Sequence, residues 1–442
     1  MSGEQAGEPT QCGNGVSSDA PDVPKLTERL FREESGKLVS MLTGIFGVSR
    51  LQLAEDVVQE AMVRALQTWP YTGVPDNPSG WLMRTAKNRA LDVMRREKLF
   101  HDKQAEIIAT LEQWPDAHEP GAFSDELHDD RLRLIFACCH PLVPPDAQTA
   151  IALRTLCGFS PGEIASAFLT SEAAIAKRLV RARRKIADLG IPFEIPAGNE
   201  LKERLDGVLR VIYFLFNEGY SASRGESIVR EDLCDEAIRL ASHMAGHPAV
   251  AVPKLHALLA LMFLHGARLA AREDSEGNIL RLKEQDRSVW NRGMIHQGLL
   301  YLSLAAEGDE LSEYHLQAGI AACHCTADSD EATDWRRILG YYDQWMKIAP
   351  SPVVALNRAV AVARVHGPVE GIHSLEAVIE KGELDSYYLL HAVMGDLEER
   401  LHHPKSAERH FEKALQLTEV KSERVFLEKR LMDCRTGVRL PT

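Results

Sequence analysis

Residues 159–186 read FSPGEIASAFLTSEAAIAKRLVRARRKI, and the fold is read outward from them. Ser160-Pro161-Gly162-Glu163 is a capping box with proline at the first helical position, which fixes a helix start. Ile164, Ala165 and Phe168 give that short helix an apolar face. Leu169-Thr170 then turns into Ser171-Glu172, a second N-cap. In the next helix Ile175, Leu179, Ala182 and Ile186 recur at i, i+4, i+7 and i+11 and must face inward. Ala173, Ala174, Lys177, Arg178, Arg181 and Lys185 are left outward. Two short helices, a tight turn and a basic second helix predict a helix-turn-helix. Its second helix would set its N-terminal residues against base edges in a major groove. A structural hairpin with a solvated face is the plainer alternative, but the charge here is nearly all of one sign.

Upstream, Asn77-Pro78 starts another helix by cap and N1 proline. Leu82, Ala86, Ala90 and Val93 supply its inward stripe, and Arg84, Lys87, Asn88, Arg95 and Arg96 fall on the other side. A basic helix introduced by Trp69, Tyr71 and Trp81 suits melted DNA, where bases stack on rings and phosphates meet cations. Trp81 fits a core position equally well. Before it, Ala54, Val57, Val58, Ala61, Ala65 and Leu66 make a buried face, with Asp56, Gln59, Glu60 and Val63 toward the other. Acids beside a DNA-binding helix repel phosphate, so this face reads as a protein contact, or else as a merely solvated one.

The whole chain has 442 residues with 45% apolar and 26% charged composition, ordinary globular values that leave room for two to four domains. Its net charge of −13 argues against nucleic acid only as an average. Trp81–Lys103 carries seven Lys/Arg against three acids, and Ser171–Asp188 six against two. Such basic islands are the footprint of a DNA binder. No apolar run is long enough for a transmembrane helix. Residues 1–24 read as a disordered tail with no signal peptide. Eight scattered cysteines are no disulfide framework, and a reduced cytoplasmic compartment fits them.

Helical periodicity runs almost throughout, without a convincing alternating strand, so the fold class is all-α. A helical block spans about 25–103, and a Pro/Gly-bearing linker of low apolar content follows. A second block runs to Gly190-Ile191-Pro192. Leu255–Ala271 is the most apolar stretch and reads as a buried helix. Near the end, Gly395 precedes His402-His403-Pro404 and a helix with Ala407, Phe411 and Ala414. This small/aromatic spacing matches the tetratricopeptide (TPR) pattern. A 36-residue offset gives Ala359, then Gly371, Leu375 and Val378 behind His366-Gly367-Pro368. Ordinary helical hairpins remain the alternative.

Other chemistry is weakly signalled. Cys138-Cys139-His140 and Cys323-His324-Cys325 lack the ligand spacing of structural zinc, and adjacent helical ligands point apart, so no metal or cofactor is expected. Asn217-Glu218-Gly219-Tyr220 abuts apolar Ile212–Phe216, with Gly219 expected to end the helix. It is a buried capping network or a regulatory site formed by Asn217, Glu218 and Tyr220. No nucleophile elbow, P-loop or Rossmann glycine pattern is present, so an enzyme is not expected.

At this point the motifs carry a resemblance. Asp56-Val57-Val58-Gln59-Glu60-Ala61 with Arg64-Ala65-Leu66 resembles the core-polymerase-binding region of bacterial sigma factors. Trp81-Leu82-Met83-Arg84-Thr85-Ala86-Lys87-Asn88-Arg89-Ala90-Leu91-Asp92-Val93-Met94-Arg95-Arg96 resembles their −10 region. Phe159–Arg184 resembles the −35 helix-turn-helix. The two-domain form over about 25–190 is similar to the extracytoplasmic-function (ECF) sigma factors. Tyr213–Ser223 and Ala355–Ala361 resemble motifs of a subgroup with a long TPR-like C-terminal extension.

The resemblance implies a region 2-like domain at 25–103, a linker at 104–126 and a region 4-like domain at 127–190. A helical extension at 191–345 and TPR-like repeats at 346–442 would follow. It implies that Asp56, Gln59 and Glu60 contact the β′ clamp helices of core RNA polymerase, whose β subunit is a further partner. Trp81, Arg84, Lys87, Asn88, Arg95 and Arg96 would meet the −10 element, with the loop at 73–77 holding a flipped base. Ser171, Ala174, Lys177, Arg178 and Arg181 would grip the −35 element of promoter DNA. The TPR-like groove could take a protein or peptide, and no membrane partner is expected. The fused extension departs from regulation by a separate membrane anti-sigma factor. The rival reading is a helix-turn-helix regulator with a ligand- or peptide-sensing C-terminal region.

Overall fold

The computed structural model describes residues 23–96, 107–110, 124–222 and 229–436. The tail expected at 1–24 lies outside the described residues except for 23–24, and so does most of the linker expected at 104–126. Among the described residues the fold is all-α, with a lone antiparallel bridge between Glu273 and Ile279.

Helices α1 (Val23–Phe46), α2 (Leu51–Thr72) and α3 (Pro78–Arg96) form the first bundle. Asn77 caps α3 through Oδ1, which accepts from the Gly80 amide at 2.8 Å, with Pro78 at N1. Leu38, Leu42, Ala54, Val58, Ala61, Ala65, Leu82, Ala86 and Ala90 are buried between the three helices, as the periodicity demands. Two expectations need correction. Leu66 is 50% exposed, because it lies one position, about 100°, past the buried Ala65 on the helical wheel. On α3, Val93 is only half-buried, and Met83, Leu91 and Met94 fill the core instead.

The second bundle comprises α4 (Ser124–Cys138), α5 (Pro145–Leu156), α6 (Pro161–Ala167) and α7 (Glu172–Leu189). The capping box closes in both directions: Glu163 N donates to Ser160 Oγ at 3.1 Å, and Ser160 N to Glu163 Oε2 at 2.6 Å. Ile175, Leu179, Ala182 and Ile186 are all buried, and Gly190 ends α7 in the left-handed region at φ +59°.

The extension contributes α8 (Gly198–Tyr220), α9 (Glu231–Ala245), α10 (Pro253–Gly266), α11 (Arg292–Ala305), α12 (Glu313–Thr326) and α13 (Trp335–Ile348). The buried helix expected at 255–271 stops at Gly266 and continues as a 3-10 turn at Leu269–Ala271. The last part holds α14 (Pro352–Val365), α15 (Pro368–His373), α16 (Glu376–Lys381), α17 (Tyr388–Arg400), α18 (Pro404–Leu417) and α19 (Lys421–Thr436). The boundary expected at 345/346 falls inside α13, and the helix breaks instead before Pro350 and Pro352, where proline ends one helix and starts the next. Gly395 faces Phe411 so closely that a β-carbon would sit 2.7 Å from the ring. The preceding unit is less regular, its second helix broken at Ser374-Leu375 into α15 and α16.

One contiguous core runs from Leu38 to Tyr314, through both bundles and into the extension. Gly36 on α1 is where α5 arrives: a β-carbon there would run into the Leu156 carbonyl. Smaller clusters serve the rest, separately in α14–α17 and α18–α19.

Candidate protein and nucleic-acid interfaces

Helix α7 presents the expected basic face. Ser171 caps it, Oγ accepting from the Ala174 amide at 3.3 Å, so Ser171 is exposed and Ala174 half-buried at its first turn. Lys177 and Arg181 stand exposed one and two turns on. Arg178 is half-buried, 3.7 Å from Asp146 and 5.7 Å above the Phe168 ring, so protein contacts occupy part of its fork.

On α3, Arg84, Asn88, Arg95 and Arg96 are exposed and Lys87 half-buried. Trp81 is half-buried, packed edge-on against the buried Trp69 at 5.5 Å between centroids. Trp69 therefore belongs to the core and leaves no platform for a base. Tyr71, 89% exposed, is the aromatic that does face solvent. In the loop at 73–77, Gly73, Asp76 and Asn77 are exposed.

Asp56, Gln59 and Glu60 are exposed together on α2. Gln52 Nε2 donates to Asp56 Oδ1 at 2.7 Å, and Glu60 forms an ion pair with Arg89 of α3. That bond, with the nearby carboxylate charge, raises the Arg89 pKa. Val63 (46% exposed) and Leu66 continue the same face. The periodicity pointed to the acids; the exposure of Leu66 was hidden by assigning it to the core.

Contacts between sequence-distant residues were not foreseen. Glu55 on α2 accepts from Arg183 Nε of α7 at 2.8 Å and from Thr155 Oγ1 of α5 at 2.7 Å. Phe168, in the helix-turn-helix turn, stacks on Phe214 of α8 at 5.1 Å and 8°. Arg230 lies between Glu163 of the capping box (3.5 Å) and Glu218 (3.7 Å). Arg131 of α4 pairs with Glu236 of α9. Each contact ties one bundle to the other or to the extension.

The Asn217–Tyr220 tetrad is drawn into these contacts. Glu218 is buried beside Arg230, and Tyr220 takes Arg268 on its hydroxyl and Arg272 on its carbonyl. Gly219 does not end α8, which runs to Tyr220. It is instead the point of closest approach to α9, where a β-carbon would lie 2.7 Å from the Cys234 amide nitrogen. Cys138 and Cys139 are fully buried, and burial pushes the Cys139 thiol up to about 12. Among the described residues no three His, Cys, Asp or Glu side chains cluster as metal ligands, and no helix is long and apolar enough to cross a membrane.

These surfaces coincide with two family matches. Residues 30–100 match Sigma-70 region 2, and residues 133–186 match Sigma-70, region 4. The chain carries both sigma-70 regions, in that order. The two regions support a sigma factor that binds RNA polymerase and promoter DNA in transcription initiation, and sigma-factor families are DNA-binding transcription regulators, not enzymes. Residues 204–306 of this sigma factor match a family of unknown function, DUF6596. An uncharacterized protein of Rhizobium meliloti (strain 1021) is 39% identical over 390 residues, which cover 86% of this chain and 90% of that one. No solved structure matches.

Proposed function

We propose that this is an ECF-type sigma subunit whose fused helical extension sets the arrangement of its two DNA-reading domains. Asp56, Gln59 and Glu60, with Val63 and Leu66, dock on the β′ clamp helices, and the β subunit supports the second bundle. Arg84, Lys87, Asn88, Arg95 and Arg96 follow the −10 element, with Trp81 at its edge. Ser171, Ala174, Lys177, Arg178 and Arg181 follow the −35 element. The domain division proposed is 25–103, 127–190 and a helical extension from 191, whose final hairpins are TPR-like and suited to a protein or peptide. The compartment that suits polymerase and buried free thiols is the cytoplasm.

One observation carries the regulatory part. Glu55 holds both Thr155 and Arg183, so α7 lies against α2. In this reading the two bundles part on the promoter, the Glu55 contacts oppose that parting, and the extension, packed on Phe168, Glu163 and Arg131, fixes the second bundle's position in the closed arrangement.

The test is run-off transcription by the full chain with core polymerase on a promoter library. Initiation at a defined sequence, lost in Asp56→Arg together with core binding, is expected. Sequence-specific duplex binding without core, unchanged by Asp56→Arg, would instead favour the helix-turn-helix regulator.

A further inference from the structure

Behind Tyr220 the extension concentrates positive charge with little to balance it. Arg268 follows α10, Arg272 closes the next 3-10 turn, and Arg287 opens the turn that leads to Trp290 and α11. The Asn291 amide donates to the Ala267 carbonyl at 2.9 Å and locks the two turns together. Arg268, only 7% exposed, donates to the Tyr220 hydroxyl and lies 5.8 Å from the Trp290 ring centroid. Arg287 lies 4.8 Å from the same centroid and donates to the His324 and Ala327 carbonyls at 2.7 and 2.6 Å. Arg272 sits 3.6 Å over the Tyr220 ring, and His265 meets that ring edge-on at 4.7 Å.

Among the described residues, none of these three guanidiniums is within 4.0 Å of a carboxylate. Glu273 near Arg272, and Asp330 and Glu331 near Arg287, are the acids whose charge reaches them, and Asp330 is bound to Arg364 at 3.0 Å. Among the described residues, five buried nitrogens around the cluster have no hydrogen-bond partner: Arg268 Nε, Arg287 Nη2, Trp290 Nε1, His265 Nδ1 and His324 Nδ1. Burial, then Arg268, Arg287 and Arg364, lower the His324 pKa to about 3; burial, then Arg268 and Arg272, push His265 well below its ordinary value. A buried cation without a counter-charge is costly, and natural proteins pair such groups.

We propose that this cluster is a binding site for a phosphate-class oxyanion, held by Arg268, Arg272 and Arg287 with Trp290 and the two histidines around it. Guanidinium forks match phosphate oxygens bidentately. Three positive charges call for a multiply charged anion more than for a single carboxylate. The site gives the regulatory reading of Tyr220 a ligand chemistry, and rests on that reading only for what the ligand does. Binding needs neither polymerase nor promoter, so failure of transcription and failure of this site are separable.

The probes are inorganic phosphate and pyrophosphate, titrated calorimetrically into the full chain against chloride of matched ionic strength. Saturable binding with a rise in Tm is expected. Arg268→Met should weaken it about tenfold or more, the worth of a charged hydrogen bond, while Arg181→Ala on the DNA-facing helix should leave it unchanged. Should Arg268→Met not fold, Arg287→Gln, at a half-buried position, reads the same loss. Equal behaviour in phosphate and chloride would mean that water alone satisfies the donors, and would overturn the proposal. So would a phosphate response that survives both arginine variants or disappears in Arg181→Ala.

Discussion

Arg181 and Lys177 share a face but differ in what losing them should do. If Arg181 reads a base, Arg181→Ala weakens binding to the cognate upstream element by about 1–3 kcal/mol and relaxes sequence preference there. If Lys177 instead meets a phosphate, Lys177→Ala should weaken all sequences alike and reduce the salt slope by about one. Binding isotherms of the polymerase complex at several salt concentrations distinguish the two. Glu236 tests the grip of the extension by pH. Burial works to raise its pKa, but Arg131 and Arg239 bring it below the ordinary 4.5. A carboxylate depressed in the folded state stabilises fully above its unfolded pKa and loses that contribution as pH falls. Acid unfolding of the Glu236→Gln variant should therefore show a shallower loss of stability below about pH 4.5 than wild type. At this scale the sequence was readable where one helix decides burial: Ile175, Leu179, Ala182 and Ile186 follow from spacing alone. Leu66 misled because an apolar side chain at the border of a stripe has no periodic signature that separates core from interface.

Elements are held to one another by contacts that periodicity does not report. Arg183 and Glu55 are 128 positions apart, and nothing local marks Glu55 among its acidic neighbours as the one that faces α7. The same holds for Arg230 between Glu163 and Glu218. The capping box was legible, but not that its glutamate also meets a cation from the extension. Arg183→Met removes a partly buried pair, and a cost of about 1–3 kcal/mol, between surface and buried values, is expected. If docking of α7 on α2 restrains initiation, run-off transcription by this variant should rise despite the lower Tm. A fall in both would make the contact structural only. Gly36→Val acts on the other side of the same junction. Its side chain meets backbone, which cannot turn aside, so overpacking should cost about 1–3 kcal/mol or more by chemical denaturation.

For the whole molecule, the all-α class and the order of the blocks were open to reading because sustained 3.6-residue periodicity is a strong signal. Their mutual packing was not, and neither was the end of α13, which runs past the expected boundary with no change of pattern. Because one core passes from Leu38 to Tyr314, the two bundles and the first extension helices should melt together. The hairpins from Pro352 onward bury only small clusters of their own and should open at lower cost. Hydrogen exchange should show it: similar protection in α2, α5 and α8, and faster exchange in α15 and α16. Uniform protection to the C-terminal helix would contradict this.

The ion pair between Glu60 and Arg89 joins α2, proposed to face polymerase, to α3, proposed to face DNA. A polymerase cation that takes the Glu60 carboxylate sets the Arg89 guanidinium free on a surface already rich in arginine. Engagement of one partner thereby increases the charge offered to the other, and reciprocity requires that DNA drawing Arg89 away leave Glu60 readier for polymerase. A single exchangeable bond would thus make the sigma factor hold each partner more tightly in the presence of the other.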